Sequence, residues 1–305
     1  LGILVCVAAA VAALFGPNGG VDGMVEVDAS TAFVRCLIAA FSAMVLLLGT
    51  GERALADRGA HTVCVLGVAL GSSVAAVSAN LLPLWLGLEM VSLASYALAA
   101  WKGGDRRAAE AGMKFVLFGG LASACTLFGM SHVYGLTGHL DFLGIGAAFA
   151  SMPVVALAAL GLVAVGVAYK LTIVPFHFYA PDVYQGAPAL SVAATGIAPK
   201  VGALVALARG VQLAVPASLA SPDVLGTALA VAAGASLLVA AFTALAQRDA
   251  KRILAFSGIG HAGAALLALG CLPAQGALGA AVLQLFAYSA ATLGALACLA
   301  VIERD

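Results

Sequence analysis

The chain has 305 residues, of which 63% are hydrophobic and 9% charged, with a net charge of zero and a mean hydropathy of +1.11. A soluble domain carries about 25% charged residues, so a soluble domain is excluded and no nucleic-acid partner is expected.

Apolar runs long enough to cross ~30 Å of hydrocarbon, each roughly 20 residues, recur along the whole chain. They fall at about 1–15, 31–49, 62–80, 84–101, 111–135, 154–179, 189–209, 224–246, 252–271 and 277–302. The expected fold is therefore all-α: a polytopic membrane protein of about ten transmembrane helices. The first run lacks a basic leader and a polar cleavage segment, so it does not read as a signal peptide. Because the chain opens on Leu1 inside an apolar run, it reads as a fragment.

Alternating the links between two sides separates the charges. One side collects Arg53, Arg58, Lys102, Arg106, Arg107, Arg248, Lys251, Arg252 and Arg304. The other has Arg209, with Arg35 if it lies near its helix end, and the acids Asp22, Glu26, Asp28, Asp141 and Asp223. The positive-inside rule makes the basic side cytoplasmic. A miscount of one span would scramble this pattern.

Most charges sit at helix ends, where snorkelling accounts for them. The first of four others is Glu89, inside 84–101. Lys114 begins the run at 111 and is close enough to the boundary to snorkel. Lys170 precedes a segment containing Pro175, His177, Pro181 and Pro188, and Lys200 lies near the middle of 189–209. A charge in hydrocarbon costs at least ~2.5–3.5 kcal/mol, so such residues point to function; the alternative is an acid and a lysine paired only to hold helices together. A lysine buried alone sheds its proton readily, whereas a carboxylate ~4 Å away contributes roughly 4 kcal/mol at an effective dielectric of 20. Moving Glu89 toward or away from Lys170 would then load or unload a proton, and residue counting permits that pair in depth.

Pro175 removes an amide donor and predicts an interrupted helix beside Lys170, a device that transporters use at ion sites. An ordinary helix end followed by a proline-rich turn is the competing reading. His177 follows with a side chain suited to a proton relay, although a single histidine near a helix end is more often structural. Gly258 to Gly263 matches GxGxxG, but no strand precedes it, and its glycines read as close helix packing. His261, in the same run, is a candidate for the polar track.

The six cysteines, Cys6, Cys36, Cys64, Cys125, Cys271 and Cys298, all lie in apolar runs without a CxxC pair, and the five histidines show no i, i+4 pairing. They read as buried small hydrophobes. No metal site and no cofactor is expected on this chain, which places any redox chemistry on another.

Five segments carry a family resemblance: WLGLEMVSLASYALAAW (85–101), RRAAEAGMKFVLFGGLASACTLFGMSHVYGLTG (106–138), YKLTIVPFHFYAPDVYQGAP (169–188), APKVGALVAL (198–207) and AQRDAKRILAFSGIGHAG (246–263). In order and spacing they resemble the subunit N family of NADH–quinone oxidoreductase, respiratory complex I. PDVYQGAP is the most specific, since sister subunits and the related sodium–proton antiporter subunits usually differ there. Arg248-Asp249 replaces the family's usual Thr-Asn, a change expected to be tolerated.

The resemblance implies part of a fourteen-helix antiporter-like fold with two inverted five-helix repeats, each with one broken helix. Residues 1–305 then form a single transmembrane domain, with the first repeat over about 62–210 and part of the second over 224–305. It also implies that Glu89, Lys170 and Lys200 form the first half of a proton path, with Lys114 matching a further family lysine, and that the next lysine lies on the second broken helix, beyond this chain. The expected role is proton translocation coupled to quinone reduction on other subunits. The partners would be other membrane-arm subunits of complex I, in the bacterial inner membrane. A cation–proton antiporter subunit and a purely structural membrane-arm subunit are the competing readings.

Overall fold

The computed structural model describes residues 1–21, 23–50, 57–102, 104–215, 225–272, 274 and 276–303. Asp22, Arg53, Asp223 and Arg304, used above to assign sides, lie outside the described residues.

Among the described residues nine helices are long and apolar enough to cross a membrane. They are α2 (Ala29–Gly49), α3 (Arg58–Val77), α4 (Leu81–Ala99), α5 (Arg106–Thr137), α7 (Pro153–Leu171), α9 (Ala189–Ala214), α10 (Thr227–Leu245), α11 (Ala250–Leu269) and α12 (Ala277–Ile302). A tenth apolar helix, α1 (Gly2–Phe15), has 14 residues. Each of the ten runs read from the sequence thus corresponds to a helix, and the chain is a multi-pass membrane protein. Three small elements were not expected: a hairpin of β1 (Gly19–Val21) and β2 (Val25–Val27), and the short helices α6 (Phe142–Phe149) and α8 (Ala180–Gly186).

Short polar side chains start six of the helices, among them Asp28 and Asp141, which the sequence offered as side-assigning charges. The side chains of Asp28, Asp57, Asn80, Asp105, Asp141 and Asp249 accept backbone amides at the N-termini of α2, α3, α4, α5, α6 and α11. A cap of this kind satisfies amides that the first turn leaves free.

The axis of the bundle is α9. Of its membrane window 89% is buried, against 17% for α10. It is packed by α2, α3, α4, α7, α11 and α12. Small residues permit this density: a Cβ on Gly202 would meet the Ser72 carbonyl oxygen of α3 at 2.5 Å. In hydrocarbon, such backbone approach is a main source of helix–helix attraction.

Each face of the bundle is tied by polar groups. On the side opposite the basic links, the Asn80 amide donates to the Gly23 carbonyl at 3.0 Å. There the buried Arg209 of α9 donates to Glu26 Oε2 at 2.6 Å and to Asp28 Oδ2 at 3.2 Å. Burial pushes the Asp28 carboxyl up, but hydrogen bonds from Ser30 and Thr31 and the Arg209 charge more than offset it, so its pKa lies below the ordinary value.

On the basic side, Asp182 of α8 is gripped between Lys114 of α5 and Arg252 of α11, each at 2.6 Å. Lys114 also pairs with Glu110, and Lys251 with Glu303, both at 2.7 Å. Gln185 donates to Asp249 and accepts from Arg252, both at 3.1 Å. Burial raises the Asp182 carboxyl pKa, and the hydrogen bonds from Lys114 and Arg252 lower it by more.

Two predictions follow from these ties. Replacing Arg209 with alanine frees the hairpin from α9; both carboxylates are more than half exposed, so the cost is about 1–2 kcal/mol rather than the ~3–5 kcal/mol of a fully buried pair. A detergent melting midpoint equal to that of the parent protein would rule this clamp out. For Asp182 the folded pKa is depressed, so its stabilisation is present above about pH 4 and lost as pH falls through the folded value. Asp182→Asn should lower the melting midpoint at pH 7 and remove part of the acid-dependent fall, as read from melting curves between pH 3 and 7.

Candidate functional site

The interruption expected from Pro175 is present, but it begins three residues earlier. Helix α7 ends at Leu171, and Thr172 turns left-handed with φ 58° and ψ 33°. That conformation is uncommon for a β-branched residue and needs surrounding contacts to hold it. Eight residues then run without regular helix before α8 begins at Ala180.

Hydrocarbon offers nothing to the freed backbone groups, so the protein must satisfy them. The Thr172 amide donates to Tyr169 O at 3.0 Å and the Ile173 amide to Ala168 O at 3.2 Å. The Thr172 hydroxyl donates to Leu171 O at 2.6 Å, and the Val174 amide to Ser236 Oγ of α10 at 3.0 Å.

Lys170 lies one residue before the end of α7 and is 6% exposed. Its Nζ is buried without a hydrogen-bonding partner in the protein. It rests over two aromatic rings, 5.4 Å from the centroid of Tyr169 and 6.0 Å from that of Phe115, where the ring quadrupoles attract an ammonium.

Lys200 is the twelfth residue of α9 and is 2% exposed. Its Nζ donates to the Gly258 carbonyl of α11 at 2.9 Å and lies 4.9 Å from the ring centroid of Tyr288 on α12. The preceding Pro199 has no amide to give the Thr195 carbonyl, which frees that oxygen inside the helix.

The fold brings Lys170 and Lys200 to one cavity, with Ser95, Thr172, Tyr184 and Thr195 also on its wall. Its volume of about 20 Å³ is room for a single water. A larger crevice of about 160 Å³ between α4, α6, α7, α9 and α10 is lined only by apolar residues and glycine, so it offers a charge no route.

The other expected site residues lie elsewhere. Glu89 is half-buried on α4, interacts electrostatically with Lys170, and makes no ion pair with it within 4.0 Å. Lys114 belongs to the ionic rim around Asp182 rather than to the cavity. His177 is buried in the interruption, its ring against Phe178 at 4.4 Å and its Nδ1 without a protein partner, and it does not line the cavity. His261 stands beyond Lys200, its Nδ1 2.8 Å from the Gln284 amide nitrogen and its ring 5.2 Å from that of Tyr288.

Several site residues escaped the sequence reading. Tyr184 and Tyr288 bring their hydroxyls to 3.2 Å beside the cavity. Gly258, read as packing, also supplies the carbonyl for Lys200, and a Cβ there would lie 2.7 Å from the lysine nitrogen. Pro199, directly before a buried lysine, was the available signal for a second irregularity. Among the described residues, no group of three or more His, Cys, Asp or Glu is placed to hold a metal ion.

Comparison with known proteins gives this geometry a family. The sequence profile described as NADH:quinone oxidoreductase/Mrp antiporter, TM matches residues 78–305. NADH-quinone oxidoreductase subunit N of Sphingopyxis alaskensis is 38% identical over 96% of this chain, and the chain spans 61% of that relative. A chain of respiratory complex I from Thermus thermophilus with bound aureothin superposes with a TM-score of 0.80 at 33% identity, over 98% of this chain and 64% of that one. A chain of the Mrp complex from Dietzia sp. DQ12-45-1b shares the fold, with a TM-score of 0.84 at 20% identity over 96% of this chain and 57% of that one. A profile that covers most of the chain, on a bundle that contains an interrupted helix, makes this protein a member of the NADH:quinone oxidoreductase/Mrp antiporter transmembrane family.

Proposed function

We propose that this chain is a proton-translocating membrane subunit of an NADH–quinone oxidoreductase, moving protons through buried Glu and Lys residues while other subunits reduce quinone. The observation that carries this reading is the shared cavity of Lys170 and Lys200 beside the interruption of α7. An ammonium without a protein hydrogen bond, on the wall of a cavity it shares with a second buried lysine, is suited to giving up a proton rather than to holding helices together. The subunit N relatives support the coupling to quinone reduction, and the resemblance of Glu89, Lys170 and Lys200 to the family's path supports their roles.

In this mechanism a change relayed from the quinone-reducing module alters the field of Glu89 at Lys170. Lys170 then passes its proton across the cavity to Lys200. The Gly258 carbonyl and the Tyr288 ring hold Lys200 next to His261, the outlet toward the second half of the path. Helices α3, α4, α5, α7 and α9 make up the first five-helix repeat, and α10 to α12 begin the second. Other membrane-arm subunits flank the chain in a bacterial inner membrane. The basic face that holds Arg58, Lys102, Arg106 and Lys251 is cytoplasmic. Redox cofactors reside on other chains.

The fold shared with the Mrp complex favours a second reading, a cation–proton antiporter subunit. Sodium-dependent proton movement that ignores quinone would select it. In assembled complex reconstituted in vesicles, Lys170→Ala should cut NADH-driven proton uptake and quinone reductase turnover about tenfold or more. Wild-type rates for both would remove Lys170 from the path. Pro175→Ala should impair pumping while the complex still assembles, and normal pumping there would take the interruption out of the mechanism.

A further inference from the structure

Beside Lys170, on its own helix and those that carry Glu89 and Phe115, the structure brings two tyrosines and a glycine together. Glu89, Ser92 and Tyr96 recur at i, i+3 and i+7, so they share one face of α4. Tyr96 reaches from that face toward α5 and packs edge-on to Phe115, with centroids 5.1 Å apart. Its hydroxyl ends over Gly119 of α5, where any Cβ would collide with it and would also stand 3.0 Å from the Tyr169 hydroxyl. Gly119 is therefore the notch in which the two phenols meet, with both hydroxyls against it.

The direction of that contact follows from a neighbour. The Tyr169 hydroxyl donates its one proton to the Phe115 carbonyl at 3.0 Å, which leaves its oxygen to accept from Tyr96. Tyr179 closes the group, donating to Tyr169 O at 2.8 Å and stacking on Phe115 with centroids 5.0 Å apart. Phe115 and Tyr169 are the two rings over which the Lys170 ammonium rests.

We propose that Tyr96 is a positioning residue for Lys170: admitted by Gly119, its hydroxyl locks Tyr169 so that the ammonium stays on an aromatic shelf instead of closing an ion pair with Glu89. The inference rests on the proton-path reading of Lys170. The ionisable groups around Lys170 are Glu89 and Tyr96 from α4, Tyr169 on α7, Tyr179 and Tyr184 from beyond the interruption, and Lys200 from α9; α5 contributes Phe115. Of these only Glu89 is an acid that could take the ammonium into an ion pair. Without the lock, Lys170 can swing to Glu89, and a proton held in a direct ion pair leaves only at higher pH.

The test uses the assembled complex in vesicles, with NADH-driven quinone reduction and proton uptake followed from pH 6 to 9. Tyr96→Phe keeps the ring and removes the hydroxyl. It should lower proton uptake about fivefold at pH 7 and move the optimum to alkaline pH by about one unit. Gly119→Ala should give the same alkaline shift, because its methyl displaces the Tyr96 hydroxyl. The Tyr96→Phe/Gly119→Ala pair should show no larger alkaline shift than Tyr96→Phe alone, because the hydroxyl that the methyl would displace is already gone, although the methyl still meets the ring carbon at 2.8 Å.

A wild-type rate and optimum in Tyr96→Phe, or a lowered rate with an unmoved optimum in correctly assembled complex, would overturn the proposal. If Tyr96→Phe does not assemble, Gly119→Ala decides by the same two readouts. Lys170→Ala separates the two levels: inactivity there beside a normal Tyr96→Phe rejects only the lock, whereas a normal Lys170→Ala rejects the proton path itself.

Discussion

Hydrocarbon supplies no hydrogen bonds, and that constraint shapes everything around α7. A helix that stops at Leu171 inside the bundle leaves carbonyls and amides that only the protein can satisfy. The chain meets this with a left-handed Thr172, a hydroxyl from Ser236 and turns that fold back on Ala168 and Tyr169. These contacts bring α10 against the interruption and α8 up to the basic face. Lys170 is left at the end of a helix, pointing into the core rather than toward solvent.

Burying a second lysine twelve residues into α9 works because that helix is the most enclosed element of the bundle. Its alanines and glycines let α3, α4, α11 and α12 approach closely, which excludes water from most of its length. A small cavity with polar groups on its wall remains, shared by Lys170 from the flank of α9 and Lys200 from within it. The proposed proton transfer needs a route that is polar but nearly dry, and the close packing around the cavity keeps it small.

The charged groups divide between two tasks. Those of the rims, Asp182 with Lys114 and Arg252, and Arg209 with Glu26 and Asp28, form short ion pairs where some solvent remains. They brace the short helix after the interruption and the hairpin at the other face. Those of the interior avoid direct pairing: Lys170 rests on rings and Lys200 on a carbonyl and a ring. A tight ion pair in low dielectric holds its proton firmly, so the absence of one at Lys170 and Lys200 is what the proposed path requires.

The sequence by itself determined the membrane class, the apolar runs and the candidate Glu and Lys residues, and it pointed to a break near Pro175, because hydropathy and proline chemistry are local properties of a chain. Its five matching segments, PDVYQGAP above all, also carried the family resemblance. Only the tertiary structure decided that Lys170 and Lys200 share a cavity while Glu89 stands apart, and that Lys114 belongs to a rim. It alone showed Gly258 as a lysine acceptor and Gly119 as the notch for two phenols. These are relations between residues tens of positions apart in the chain, set by which helix faces meet and how closely. Hydrophobic patterning in a membrane span says that a face is buried, but not which side chain waits on the other side.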